Sequence, residues 1–203
     1  DEGFEPGGSL LSETAPVGER SAGDLLAQTL AELADMPNVR IFSRTTVFGW
    51  YDGNVFGAVE SVQKNTATVD PNRPVERIWR IAARQAILAS GAEERPLVFG
   101  GNDIPGVMMA SAMRAYLNRQ AVAPGKNTVI FTNDASGYAT AADLEAAGLD
   151  VVAIVDSRPD AARTWSGKAR IIPGAVVVDA KGSRSLKGVT VLSNGRTENI
   201  PAD

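Results

Sequence analysis

The sequence predicts an α/β fold of the Rossmann type, in which parallel strands alternate with helices, joined to an antiparallel β-meander. Three observations predict it. Residues 128–156 read as strand, loop, helix and strand, which is the crossover unit of a parallel sheet. Residues 45–88 read as strands separated by turn residues. Finally, the apolar run at 86–89 enters small residues at 90–92, as at the carboxyl end of a strand that lies close to a nucleotide.

Composition limits the function more than it defines it. The chain of 203 residues is 44% hydrophobic and 22% charged, which is globular and sufficient for one large or two small domains. A net charge of -4 and the lack of any long apolar run predict no nucleic-acid or membrane partner. Without Cys or His, we expect no catalytic residue and no Cys/His metal site in this chain. The lack of disulfides suits a cytoplasmic protein.

The first half of the chain predicts a loop, a helix and a meander. Residues 1–21 are rich in Gly, Pro and Ser, and apolar residues at helical spacing follow over 22–35. Strands are predicted at 39–42, on either side of the Asp52-Gly53-Asn54 turn, from 67 to 69, and from 78 to 88.

The second half predicts helices and strands in alternation. Helices are expected over 106–119 and 138–147, the second ending at Gly148, which favours the left-handed conformation after a helix. Buried strands are predicted at 128–131 and 151–155, and further strands at 171–178 and 185–192.

The loop after the strand at 128–131 is where a dinucleotide fingerprint, G-x-G-x-x-G, is expected. In the best register Asn133, Ala135 and Tyr138 occupy its three glycine positions. Asp134 adds a carboxylate where a pyrophosphate would lie, and like charges repel at close range. Asp156 still ends the next strand, where a ribose-binding acid is expected. A retained scaffold is therefore favoured over a working NAD(P) site.

A second candidate site lies at the amino-terminal end. Asp1 and Glu2 precede Gly7-Gly8-Ser9-Leu10, and an acidic residue at the end of a second Rossmann strand binds ribose hydroxyls. Acidic segments are common, so an ordinary solvated tail is the alternative. Arg95, after the small residues at 90–92, is a candidate contact to phosphate or to a partner.

Several strings together resemble one family, the α subunits of heterotetrameric sarcosine oxidases. The strings are Asp1-Glu2 with Gly7-Gly8-Ser9-Leu10-Leu11, Ala89-Ser90-Gly91-Ala92-Glu93-Glu94-Arg95-Pro96, Asn102-Asp103-Ile104-Pro105-Gly106-Val107-Met108, Ala112-Met113-Arg114-Ala115-Tyr116-Leu117-Asn118-Arg119 and Phe131-Thr132-Asn133-Asp134. The resemblance extends over essentially the whole chain. The α subunits of opine and proline dehydrogenases share the architecture and stay open as alternatives.

The resemblance implies a flavoprotein fold with two dinucleotide-binding domains, similar to thioredoxin reductase without its redox disulfide. Residues 1–105 would form a partial dinucleotide-binding domain with the meander, lacking its first βα unit. Residues 106–203 would form a smaller Rossmann-like domain. The family implies noncovalent NAD or FAD in the first domain, small accessory subunits in the complex, and amine oxidation at a flavin in a catalytic β subunit.

The resemblance also assigns site residues. It implies that Asp1 or Glu2 holds the adenosine ribose, and that Val47 meets the adenine through its backbone. Lining the dinucleotide would be Gly7, Gly8, Ser9 and Leu10, while Ser90, Gly91 and Ala92 would close over the pyrophosphate. The Gly-rich phosphate loop would precede residue 1, so we expect this chain to be an internal fragment that binds cofactor weakly or not at all.

The predicted function is a part of the cofactor-binding α subunit of a flavin-dependent oxidase that demethylates sarcosine to glycine, with the isolated chain inactive. The competing prediction is a non-catalytic nucleotide-fold scaffold that docks a catalytic β subunit. An independent NAD(P)H-dependent reductase would need an intact second fingerprint, which the sequence lacks.

Overall fold

The computed structural model describes residues 1–64, 68–161 and 165–203. It divides into two compact units. Unit 1 comprises residues 1–11 and 16–92, and unit 2 comprises residues 12–15 and 93–203. The α/β class predicted from the sequence is confirmed, since the chain combines helices with parallel and antiparallel sheets.

Unit 1 contains the predicted meander. Its strands β1 (Thr45–Tyr51), β2 (Val55–Ser61) and β3 (Glu76–Ala82) form an antiparallel sheet in the order β1-β2-β3. The predicted hairpin turn is confirmed, because Tyr51 pairs with Val55 and both Gly53 and Asn54 have positive φ.

The helix of unit 1, α1, spans Ala22–Ala34 as the spacing of apolar residues predicts. It begins at Ser21, whose hydroxyl oxygen accepts a hydrogen bond from the Asp24 N–H at 3.0 Å. That bond satisfies one of the backbone donors that the first turn of a helix leaves without a partner.

Three predicted strand segments of unit 1 differ from the structure. The last long strand ends at Ala82, so the prediction for 83–88 is wrong, and Ile87 is 92% exposed. The segment at 39–42 also lies outside the described strands. Of the strand predicted at 67–69, residue 67 falls outside the described residues and the other two are not in a strand. An apolar segment forms a strand only where a neighbouring strand pairs with it.

Unit 2 is built on a parallel sheet. Strands β4 (Asn127–Thr132), β5 (Asp150–Asp156) and β6 (Arg170–Pro173) lie in the order β4-β5-β6, with both pairs parallel. Helix α3 (Ser136–Ala146) connects β4 to β5, which confirms the predicted crossover unit. Gly148 follows α3 with φ +79°, as predicted for the residue after a helix.

Helix α2 (Ala110–Gln120) precedes the parallel sheet, and its start corrects the prediction of a helix from 106. Gly106 has φ +111°, a conformation incompatible with a helix, and the Val107 N–H bonds the Ile104 carbonyl in a turn at 2.9 Å. None of the described helices is long and apolar enough to cross a membrane.

A second, antiparallel sheet completes unit 2. It consists of β7 (Ala175–Gly182), β8 (Leu186–Ser193) and β9 (Arg196–Ile200). One core cluster, which includes Leu144 and Ile154, joins the helices to the parallel sheet, and another, which includes Val155 and Val191, joins the two sheets. Unit 2 therefore has three layers, with helices on one face of the parallel sheet and the antiparallel sheet on the other.

Candidate functional site

Four predicted cofactor residues form a tight turn beside α1. Gly7 and Gly8 have φ of +146° and +53°, and the Leu10 N–H donates to the Gly7 carbonyl at 3.1 Å. The turn leads into a short 3₁₀-helix over Gly8–Ser12, which includes Ser9. A Cβ on Gly7 would lie 2.5 Å from Leu26 Cδ2, so only glycine allows the backbone to approach α1 this closely.

The acidic pair Asp1 and Glu2 is exposed beside residues 42–45. The Asp1 amino group donates to the Phe42 carbonyl at 2.8 Å, and the Thr45 N–H donates to the Asp1 carbonyl at 2.8 Å. One carboxylate oxygen of Asp1 accepts the Gly3 N–H at 2.7 Å. Exposed carboxylates at this position can accept hydrogen bonds from ribose hydroxyls, as the resemblance implies.

The other predicted residues of unit 1 occupy two separate segments. Val47 lies on β1 and is 58% exposed. Ser90, Gly91 and Ala92 are exposed and lie outside the described helices and strands, and Gly91 has φ +75°. The structure thus forms the turn at 7–10 but does not place 90–92 at the end of a strand.

Arg95 belongs to unit 2, where it lines a cavity next to a helix start. The carboxylate of its neighbour Glu94 accepts the N–H groups of Ala110 and Ser111 at 3.1 and 2.7 Å. These are two backbone donors in the first turn of α2, which otherwise has no side-chain cap. The sequence did not single out this capping role of Glu94.

The second dinucleotide loop binds its own side chains. One carboxylate oxygen of Asp134 accepts hydrogen bonds from the Ser136 N–H at 2.7 Å and from the Ser136 hydroxyl at 2.6 Å. These bonds, and one from the Gly137 N–H, hold the pKa of Asp134 below its usual value. An anion bound at the start of α3 would meet this charge, because the Asp134 carboxylate is bonded to Ser136, the first residue of α3.

Asp156, the residue expected to bind a ribose, is hydrogen-bonded to other side chains of this protein. The side chain of Asp156, at the end of β5, is fully buried and accepts the Tyr138 hydroxyl at 2.8 Å. Arg158 donates to the same carboxylate through its backbone N–H at 2.9 Å, its Nε at 3.0 Å and its Nη2 at 2.7 Å. We call Tyr138, Asp156 and Arg158 the β5 triad.

The β5 triad has a defined charge state. Burial alone would raise the pKa of the Asp156 carboxyl, but the hydrogen bonds from Arg158 and Tyr138 outweigh it and lower the pKa. Burial and the hydrogen bond to that carboxylate raise the pKa of Tyr138 to about 12. At neutral pH the triad therefore holds a carboxylate, a guanidinium and a neutral phenol.

The β5 triad supports a structural role, because its three side chains bond one another. Asp156 has no exposed surface left for a ribose, and Tyr138 fills a position where a fingerprint has a glycine. Sequence reasoning identified both of these residues but missed Arg158. The spacing of an acid and an arginine two residues apart after a buried strand was the signal available.

A second polar cluster lies between α2 and α3, also unrecognised in the sequence. Arg114 donates to Asp143 Oδ2 through Nε at 2.6 Å and to Glu13 Oε1 through Nη2 at 2.8 Å. Burial opposes the charge of Arg114, but the two carboxylates outweigh it and raise its pKa, and Arg114 in turn lowers the pKa of Glu13. The described residues contain no cluster of His, Cys, Asp and Glu suited to a metal ion.

Comparison with known proteins confirms the resemblance seen in the sequence. The chain is 59% identical over 203 residues to the sarcosine oxidase α subunit of Rhizobium meliloti, and 39% identical over 211 residues to that of Corynebacterium sp. strain P-1. It is 27% identical over 198 residues to a subunit of the opine oxidase of Rhizobium meliloti. These alignments cover 100%, 98% and 95% of this chain. The chain spans 21% of the length of each of the first two relatives and 39% of the third, and no protein-family model matches it.

Solved structures share the fold. The chain superimposes with a TM-score of 0.71 on L-proline dehydrogenase from P. horikoshii, at 19% identity, covering 100% of this chain and 34% of that protein chain. Thioredoxin reductase from Lactococcus lactis gives a TM-score of 0.61 at 18% identity, covering 97% of this chain and 64% of that one. A FAD-dependent pyridine nucleotide-disulphide oxidoreductase from Desulfovibrio vulgaris gives 0.53 at 16% identity, covering 80% and 42% of the two chains. The chain therefore shares the fold of the matched parts of these three proteins.

Proposed function

We propose, because this chain is homologous to a segment of sarcosine oxidase α subunits, that it forms part of the cofactor-binding α subunit of a flavin-dependent sarcosine oxidase. The observation that carries the proposal is the 59% identity over all 203 residues. The reaction is the oxidative demethylation of sarcosine to glycine. The match to the opine oxidase is much weaker, at 27% identity. The α subunit of an opine or proline dehydrogenase is therefore the less favoured alternative.

The proposed role is cofactor binding rather than catalysis of amine oxidation. The chain has no His or Cys, so it supplies neither an imidazole base nor a thiolate. In the proposed complex, a catalytic β subunit, with small accessory subunits, would carry the flavin and so would supply the two-electron oxidation of the amine. The complex is proposed to be a cytoplasmic heterotetramer.

The proposed cofactor site lies in residues 1–105, taken as the first dinucleotide-binding domain. Supporting it is the exposed acidic pair Asp1 and Glu2, because exposed carboxylates can accept hydrogen bonds from the hydroxyls of a ribose. Val47 and Ser90–Ala92 are proposed to complete the site once a phosphate-binding loop is present. Arg95 is proposed as a contact to a phosphate or to a neighbouring protein of the complex. The cofactor is NAD or FAD, held noncovalently.

A second candidate function, a scaffold that docks the catalytic subunit, suits residues 106–203. The β5 triad favours it, because Asp156 is already bonded to Tyr138 and Arg158, and the Asp134 carboxylate already accepts the N–H of Ser136 at the start of α3. A dinucleotide would have to displace all of these bonds. The second Rossmann-like domain thus keeps its sheet and helices without keeping a ligand site.

Titration of the chain with NAD, FAD and ATP, followed by amide chemical shifts, tests both candidates. Saturable shifts at Gly7, Gly8 and Gly91, with none at 133–138, would support cofactor binding at the first site, and the tighter of NAD and FAD would identify the cofactor. Shifts at 133–138 would contradict the closed second loop. No shifts at millimolar ligand would leave this chain as a scaffold, with any cofactor binding dependent on a phosphate-binding loop outside it.

A matched pair of variants sharpens the titration. Glu2→Gln together with Asp1→Asn removes the charges proposed to hold the ribose, and we expect it to weaken any NAD or FAD binding at least about tenfold, or about 1.4 kcal/mol. Asp52→Asn together with Glu19→Gln removes two other exposed acids of unit 1 and should leave binding unchanged. Equal effects from the two variants would show that the acidic pair acts through net charge alone.

A further inference from the structure

Four residues near the amino-terminal end of the chain belong to unit 2. Residues 12–15 fall in unit 2, whereas residues 1–11 before them and 16–92 after them fall in unit 1. We call residues 12–15 the strap. The 3₁₀-helix Gly8–Ser12, which continues the turn at 7–10, ends at the first residue of the strap. The contacts that hold the strap therefore also hold the carboxyl end of that short helix.

Two side chains of α2 bind the strap. Asn118 Nδ2 donates to the Ser12 carbonyl at 2.8 Å. Arg114 donates to both oxygens of the Glu13 carboxylate, through Nη2 at 2.8 Å and through Nη1 at 3.3 Å. A guanidinium that makes two hydrogen bonds to one carboxylate fixes its orientation as well as its position. Helix α2 therefore holds both the backbone and a side chain of the strap.

Asp143 of α3 orients those two side chains of α2. Its side chain is 8% exposed, and Oδ2 accepts Arg114 Nε at 2.6 Å and Asn118 Nδ2 at 2.9 Å. Its other oxygen accepts the hydroxyl of Thr14 in the strap. Hydrogen bonds to a charged group are stronger than neutral ones, and a nearly buried network loses less of that strength to water. The groups that bind the strap are thus held in place by unit 2 itself.

The short helix that ends in the strap depends on outside contacts for a fixed conformation. It has five residues, none of them buried. A 3₁₀-helix has poorer hydrogen-bond geometry than an α-helix and is stable only in short, supported pieces. At its amino end, Gly7 packs closely against Leu26 of α1. At its carboxyl end, the bonds from Arg114 and Asn118 to the strap supply the second fixed point.

We propose that Arg114 and Asn118 are positioning residues for the cofactor site: by binding the strap, they fix the turn at 7–10 in the conformation that accepts a dinucleotide. Neither residue touches the cofactor in this proposal, because both act through the strap. The inference rests on the proposed function where it assigns the turn at 7–10 to a cofactor. It extends that function by making the cofactor site of residues 1–105 depend on two residues of α2, outside that range.

The test loosens the strap without leaving a buried charge unpaired. Glu13→Gln removes the strap's charge and keeps the Arg114–Asp143 pair, and Asn118→Ala removes the bond to the Ser12 carbonyl. Glu198→Gln is the matched control, because it breaks another Arg–Glu ion pair of unit 2, on β9. Two readouts are compared in all of these chains. Amide hydrogen exchange is measured at Leu10 and Leu11, with buried Leu144 of α3 as the internal reference, and NAD and FAD are titrated into each chain.

We expect Glu13→Gln and Asn118→Ala each to speed exchange at Leu10 and Leu11 at least about threefold relative to Glu198→Gln, with Leu144 unchanged, and to weaken dinucleotide binding by a similar factor. Exchange at Leu10 and Leu11 equal to that of the control would overturn the proposal. Equal acceleration at Leu144 would overturn it too, because the variants would then destabilise unit 2 as a whole. So would unchanged affinity despite faster exchange.

Failure of the proposed function has a different signature. A native chain that binds neither NAD nor FAD, while exchange at Leu10 and Leu11 still depends on Glu13, would keep the positioning of the turn by α2 and overturn its assignment to a cofactor.

Discussion

The substitution Tyr138→Phe removes one hydroxyl from the β5 triad and keeps the ring. In the native chain that hydroxyl donates to Asp156 at 2.8 Å, and the Asp156 side chain is fully buried. Arg158 still bonds the carboxylate in the variant, so the carboxylate loses one of its partners but not its counter-charge. Hydrogen bonds to charged groups contribute about 1.5 to 3 kcal/mol, and we expect a loss of that size in the free energy of unfolding at pH 7.

The pH dependence of that loss follows from the pKa of the phenol. The folded state raises the pKa of Tyr138 from 10.0 to about 12, so it retains the proton more strongly than the unfolded chain. The stabilisation is fully present below pH 10 and is lost as the pH rises through 12. By linkage, the advantage of the native chain over Tyr138→Phe shrinks as the pH rises from 9 to 11, by at most about 1 kcal/mol once solvent screening of this partly exposed group is considered.

Urea unfolding of unit 2 measures both effects. Trp165 lies next to Tyr138, with ring centroids 5.8 Å apart, so its fluorescence reports on unit 2 when Trp50 and Trp79 are replaced by Phe in every variant. Tyr116→Phe is the control, because Tyr116 is 42% exposed on α2. Equal losses in the two tyrosine variants, or a Tyr138→Phe deficit that stays constant up to pH 11, would refute the reasoning.

Two further predictions concern stability in each unit. Arg114→Met leaves the buried Asp143 carboxylate without its cation and should lower the free energy of unfolding in urea by about 3 to 5 kcal/mol. Arg170→Met breaks an exposed ion pair and should lower it by less than about 1 kcal/mol. Similar losses in the two variants would contradict the burial argument. Gly7→Ala should destabilise unit 1 by about 1 to 3 kcal/mol, because the new Cβ would meet Leu26. In a double-mutant cycle, adding Leu26→Ala to Gly7→Ala should recover part of that loss. Strictly additive losses from the two substitutions would contradict the contact.

Local signals in the sequence were sufficient for most elements. The spacing of apolar residues over 22–35 predicts α1, and Gly148 marks the end of α3, because both signals act within a few turns of the chain. The hairpin at 52–54 is equally local, since glycine and asparagine adopt the positive φ that its turn requires. These elements could be predicted because nothing distant in the sequence decides them.

The errors fell where a distant residue decides the structure. Residues 86–89 have the composition of a strand, yet Ile87 and Leu88 are 92% and 75% exposed, because a strand forms only against a pairing neighbour. The start of α2 depends on the Glu94 carboxylate, which lies sixteen residues before Ala110 in the sequence. A pattern read along a few residues contains no information about either partner.

Asp156 was identified from the sequence, but its partners could not be predicted from a few neighbouring residues either. An acid at the end of β5 has the same sequence signal whether it binds a ribose or an internal arginine. Its partners decide between these roles, and here Tyr138 approaches from the start of α3 while Arg158 returns from the loop after β5. The three side chains are hydrogen-bonded to one another. The carboxylate that would bind a ribose in a dinucleotide site instead bonds Tyr138 and Arg158. In this loop the same hydrogen bonds occupy the carboxylate and stabilise the fold, so we expect Tyr138→Phe to weaken the fold while Arg158 still bonds Asp156.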